Sequence, residues 1–321
     1  MDLEKGYLKA EGLNIELEVG RDSLWWGPGY NGDLLMTNNA RPFDLIKLSN
    51  PQPFSIPLIG LFKFNLFLSR LDYGQPISHP LLYGLRLDFK PHPIFEIGIS
   101  QVAIFGGEGR SDLSFADYFK ILYSDRNYGG KLDSNQQVSV DFSLRWPNFG
   151  EILPIARSLK FYGEWGAEDT GLPPDRRAYL LGVFFYDLFL FGRIDLRMEY
   201  AVASPESVPT AWYTHGSYPP TYHERIFGDH VGSNGEDIFA RLTYYLSPKV
   251  QLGIDFDAET QGQKNAIKTS SYQGGIDLNY LLLEKVDIKG RYVLDKFRDS
   301  DSIAGGDATH HFFGLEFRRR F

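Results

Sequence analysis

Residues 20–42 gather two indoles and a phenol in Trp25-Trp26-Gly27-Pro28-Gly29-Tyr30, then two amides and a guanidinium in Asn38-Asn39-Ala40-Arg41-Pro42. Flat apolar rings beside planar hydrogen-bonding groups can stack on the C–H face of a ligand and bond its hydroxyls. The same residues have an architectural reading. Gly27, Pro28 and Gly29 suit a tight turn, and Trp25 with Trp26 suit an interfacial girdle or an inward plug.

A second aromatic cluster, Trp212, Tyr213, Tyr218 and Tyr222, is interleaved with His215, His223 and His230 and lacks strand alternation. It reads as an extracellular loop or an inward-folded lid. The histidines are spaced eight and seven residues apart with no helix to align them, so no metal site is expected. His310 and His311 are neighbours on a strand and point to opposite faces, which rules out a shared site built from that pair alone.

Charges recur at every second position: Asp141, Arg145, Lys160, Glu164, Arg193, Asp195, Arg197, Glu199, Asp255, Asp277, Lys289, Arg291 and Glu316. Mixed signs favour cross-strand pairing that fills an interior, and the same residues would also suit a water-filled pore. Asp255 and Asp257 read as wall positions rather than an acid and base. With no G-x-S-x-G elbow, phosphate loop or H-E-x-x-H pattern, neither an enzyme nor a cofactor is expected.

Strands must carry these groups. In Arg193-Ile194-Asp195-Leu196-Arg197-Met198-Glu199-Tyr200 every odd residue is charged and every even one apolar, and the pattern returns in 138–146, 250–256, 276–280 and 286–292. No run approaches the about 18 apolar residues of a spanning helix. The 321 residues are 15% aromatic yet only 43% hydrophobic overall, a balance that suits the outer face and girdles of a membrane barrel. Cysteine is absent, which excludes thiolate metal sites and disulfides, and a net charge of −8 without a basic stripe argues against a nucleic-acid partner.

A soluble sandwich also alternates, but here short links near 90–93, 188–190, 247–249 and Glu284 alternate with long polar ones. Tight periplasmic turns and long extracellular loops are the habit of outer-membrane barrels. The expectation is an all-β, antiparallel, up-and-down transmembrane barrel of about fourteen strands in one domain, 1–321. The first strands are expected over 8–19, 43–48, 56–71 and 81–89, with 113–123 an ordered loop rather than a span. The amino terminus lacks the basic and apolar regions of a signal peptide, which is read as a mature or truncated chain. The last strand, 307–321, carries Phe313, Leu315 and Phe317 on one face and ends in Phe321. It resembles the carboxyl-terminal signature by which the barrel assembly machinery selects its clients.

The Trp-Trp-Gly-Pro-Gly turn at 25–29 and the Asn-Asn-Ala-Arg-Pro segment at 38–42 resemble those of the Wzi capsule-assembly family of outer-membrane barrels. Residues 213–218 followed by Arg225-Ile226-Phe227-Gly228-Asp229-His230-Val231-Gly232 are similar to the family's Gly-x-His-x-Gly region, and weaker similarity lies in 116–118 and 159–169. The resemblance runs from about residue 8 to 321. It departs in extent, because family members have about eighteen strands and an amino-terminal periplasmic helical region. It implies a lectin-like, non-catalytic anchor for capsular or other surface polysaccharide in the bacterial outer membrane, with membrane lipid and the barrel assembly machinery, through Phe321, as further partners. A porin-like channel for small solutes is the alternative. The glycan contacts it implies are Trp25, Trp26, Tyr30, Asn38, Asn39, Arg41, Trp212, Tyr213, Tyr218 and His230.

Overall fold

The computed structural model describes residues 4–72, 74–123, 129–168, 177–204, 212–262, 268–282, 285–299 and 305–319. Strands dominate it: β1 (Gly6–Gly12), β2 (Ile15–Asp22), β3 (Phe43–Ser49), β4 (Phe54–Ile56), β5 (Gly60–Arg70), β6 (Leu81–His92) and β7 (Phe95–Phe105). After helix α1 (Phe115–Tyr123) come β8 (Ser134–Trp146), β9 (Ala156–Glu168), β10 (Arg177–Leu188), β11 (Ile194–Ala203), β12 (Thr221–Tyr222) and β13 (Arg225–Ile226). The chain continues with β14 (Glu236–Ser247), β15 (Val250–Gln261), β16 (Thr269–Leu282), β17 (Val286–Arg298) and β18 (Ala308–Arg319).

Fifteen of these strands hydrogen-bond in chain order, skipping β4, which pairs only with β5, and the separate hairpin β12–β13. The meander follows from the links. Two residues join β14 to β15, and antiparallel neighbours need no more. Glu284 lies outside the described residues.

Burial runs opposite to that of a soluble sheet. On β3, Lys47 and Ser49 are buried while Ile46 and Leu48 are exposed. On β16, Asp277 is 1% exposed and its neighbour Ile276 45%. Polar side chains on the closed face and apolar ones on the open face fit a strand with hydrocarbon outside.

Two compact units make up the chain. The first (Met1–Ser143, Gly163–Leu180, Ala203–Ser233) contains Trp25, Arg41 and the second aromatic cluster. Its buried face carries Arg86, which meets Asp141 at 2.7 Å and Asp88 at 2.6 Å. The second (Leu144–Tyr162, Leu181–Val202, Asn234–Phe321) carries a four-membered ion network across β14–β17. Arg241 reaches Asp255 at 2.9 Å and Asp277 at 2.7 Å, and Arg291 reaches the same carboxylates at 2.8 and 3.3 Å. Gly253 and Gly275 stand where a Cβ would strike these side chains, so the glycines make room for the charges.

Three expected segments differ. The strand expected over 8–19 is the hairpin β1–β2, with Leu13 and Asn14 at φ of 51° and 61° in the turn. Leu8 and Ala10 sit at even positions and Leu13, Ile15, Leu17 and Val19 at odd ones, so the alternation changes phase at the turn. Likewise 56–71 opens with β4 and a turn through Leu58 (φ 66°) and Gly60 (φ 122°). Residues 113–123 do not span, yet they end in helix rather than loop. The Ser114 amide and hydroxyl both donate to the Asp117 carboxylate, at 2.8 and 2.7 Å, and the Asp117 amide donates to the Ser114 carbonyl at 2.9 Å, which starts α1.

Candidate functional site

The segment 25–41 is folded by its own backbone first. The Trp26 amide donates to the Met36 carbonyl at 3.0 Å, closing the intervening residues into a loop. Gly27, at φ 131°, and Gly29 leave the space that the Asp33 carboxylate fills, and the Gly29 amide donates to that carboxylate at 3.0 Å. Leu34, Leu35 and Met36 at the far side of the loop are fully buried.

This loop is tied to the second cluster along its length. The Thr37 amide donates to the Phe227 carbonyl at 2.7 Å, the Thr37 hydroxyl to the Gly228 carbonyl at 2.7 Å, and the Asn39 side-chain amide to the Ile226 carbonyl at 3.0 Å. The Tyr213 hydroxyl donates to the Leu34 carbonyl and accepts the Asp229 amide at 2.8 Å. Gly228 has no room for a Cβ against the Leu34 carbonyl and the Tyr213 hydroxyl, and Gly32 has none against the Asp229 carboxylate. The two motifs thus form one folded body, which the sequence presents as separate stretches.

Strands anchor this body. Glu164 on β9 accepts the Leu34 amide at 2.8 Å, and Glu168 on the same strand accepts the Tyr213 amide. Trp212 is completely buried over Gly166, whose missing side chain admits the indole, and its amide donates to the Ser204 hydroxyl at 2.8 Å. Trp26 meets Phe67 and Phe43 meets Phe227 edge-on, while Phe43 and Phe67 are tilted, with centroids 5.3 to 5.7 Å apart. Such pairs are worth about 0.5–1.5 kcal/mol each beyond area burial.

Tyr218 donates its hydroxyl to the Gly106 carbonyl at 3.0 Å and lies under the Arg110 guanidinium at 5.5 Å. His215 Nδ1 accepts the Ser217 and Tyr218 amides at 3.2 and 3.0 Å, so that nitrogen serves a turn. Tyr222 donates to Asp72 at 2.6 Å. Burial pushes the phenols of Tyr213, Tyr218 and Tyr222 upward, with the nearby carboxylates Asp229 and Asp72 adding to the rise at Tyr213 and Tyr222. All three are neutral donors at physiological pH.

The residues singled out in the sequence therefore fall into two groups. Trp26, Trp212, Tyr213 and Tyr218 are buried inside the folded body, and Asn39 and His230 are half-buried. Trp25, Tyr30, Asn38 and Arg41 remain exposed. Among the described residues His215 and His223 belong to no cluster of three possible metal ligands. Glu164 and Glu168 hold the body in place and were not separable in sequence from other wall positions, and Thr37 and Asp229, which lie within the two motif segments, were not singled out.

Comparison with known proteins identifies the family and the fold. The family model of the capsule assembly protein Wzi matches residues 1–310. A Klebsiella pneumoniae protein described as an uncharacterized 55.8 kDa protein in the cps region is 27% identical over 178 residues. That match covers 53% of this chain and 34% of the relative, so the chain aligns with about a third of its length. Among solved structures, Wzi of Escherichia coli, described as an outer membrane protein involved in group 1 capsule assembly and a carbohydrate-binding β-barrel, superposes with a TM-score of 0.77. It is 18% identical, and the alignment covers 96% of this chain and 69% of that one. The outer membrane protein OprD of Pseudomonas aeruginosa gives 0.58 at 9% identity, covering 98% and 77%. The fold is that of an antiparallel β-barrel, and the chain belongs to the capsule assembly protein Wzi family.

Proposed function

We propose that this protein is an outer-membrane barrel that holds capsular or other surface polysaccharide at the cell surface, without catalysing a reaction. The observation that carries the reading is the locked body made by 25–41 and 212–231, which leaves Trp25, Tyr30, Asn38 and Arg41 outward. Those four supply two ring faces, an amide and a guanidinium, the groups that stack on sugars and bond their hydroxyls. The buried members, Trp26, Trp212, Tyr213 and Tyr218, act by shaping that surface, and Asn39 and His230 lie at its margin. Membrane lipid covers the exposed apolar strand residues. The barrel assembly machinery reads the last strand, whose Phe321 lies outside the described residues.

The test is retention of purified capsular polysaccharide from the same strain by the full chain in lipid nanodiscs, read by biolayer interferometry. Saturable binding that a neutral dextran does not displace is the expected result. No binding above an unrelated barrel would overturn the reading and favour a channel.

A further inference from the structure

We propose that α1 and the outward face of β3 and β5 form a slot for one acyl chain of a lipid in the leaflet on the long-loop side. The slot is a groove of about 350 Å³ lined by Ile46, Leu48, Leu66, Leu68, Phe105 and Tyr118, with no charged residue among its walls. It exists because the helix folds back onto the strands. Ile121 packs against Ala103 and Phe105, and Phe105 meets Tyr118 edge-on at 5.7 Å.

The occupant follows from the walls. The slot continues the exposed apolar face of the strands, where Ile46 and Leu68 are open, so whatever covers that face reaches into it. A peptide would need main-chain partners, but β5 is already hydrogen-bonded to β3 and β6 along this stretch. A hydrocarbon chain needs none. Beyond Tyr118 the helix exposes Phe115 and Phe119, stacked edge-on at 5.0 Å, an apolar surface of the kind that lies in a membrane interface. The inference rests on the membrane reading above.

Tyr118→Trp in the full chain, placed in vesicles of ordinary or dibrominated phosphatidylcholine, tests it, because bromine on the acyl chain quenches a touching indole. The parent's Trp146 and Trp165, exposed on strand faces, report membrane contact by themselves. The expected result is quenching of the parent, a further loss of about twofold from the introduced indole, and return to the parent level when Leu68→Phe narrows the groove. A quenched parent without that further loss, or a loss that Leu68→Phe leaves intact, would overturn the slot and leave the membrane reading standing. A self-association that shields the new indole would assign the groove to a second copy instead. An unquenched parent would sink both.

Discussion

The Tyr213 hydroxyl donates to the carbonyl of Leu34, 179 positions earlier in the chain, and accepts the Asp229 amide at 2.8 Å. One phenol thereby satisfies a buried acceptor and a buried donor at the point where the two sequence motifs meet. Removing it strands both.

Tyr213→Phe keeps the ring and deletes those two bonds. Each buried polar group left unpaired costs about 1–3 kcal/mol, so the body should open locally while the strands stay folded. Limited proteolysis should cut within 212–231 in the variant and not in the parent, with heat-modifiable gel migration unchanged.

Gly228→Ala tests the same junction by crowding. The added methyl would meet the Leu34 carbonyl and the Tyr213 hydroxyl, neither free to move far. Overpacking of this kind costs about 1–3 kcal/mol, and the protease-sensitive phenotype should match that of Tyr213→Phe.

Alkaline pH should release the body. The phenols of Tyr213, Tyr218 and Tyr222 have raised values because burial disfavours the phenolate. A group whose value is raised on folding lends its stability below its unfolded value, about 10 for tyrosine, and loses it as pH rises further. Protease sensitivity of 212–231 should therefore set in above about pH 10, with a parallel rise in phenolate absorbance. Sensitivity that appears only in acid would contradict this sign.

Trp25→Ala, Tyr30→Ala and Arg41→Ala remove groups exposed on the folded body. Each should weaken polysaccharide binding about tenfold, or about 1.4 kcal/mol, without changing protease resistance. A loss of binding in the buried Trp212→Ala alone, with all three exposed variants normal, would move the contact surface elsewhere.

Much of this was legible in sequence because alternation reports which face a strand residue takes. Ile276 and Asp277 are placed by parity alone, and their burial agrees. The hairpin at Leu13-Asn14 was hidden because the alternation resumes within two residues, and α1 because Leu113-Ser114 opens an apolar run whose capping pair, Ser114 and Asp117, is also common in loops. The motif residues were visible by type, but whether a tryptophan faces in or out depends on partners far along the chain. Trp25 and Trp26 are adjacent, yet one is open and the other packs on Phe67. Gly166 and Gly228 acquire meaning only once Trp212 and Tyr213 are known to lie against them.

The most direct test is single-channel conductance of the full chain in a planar bilayer, with and without surface polysaccharide from the same strain. The anchor reading predicts a protein that retains the polysaccharide and whose conductance falls when the polysaccharide is added. A steady open conductance in the parent, indifferent to the polysaccharide, would contradict the anchor and identify a channel.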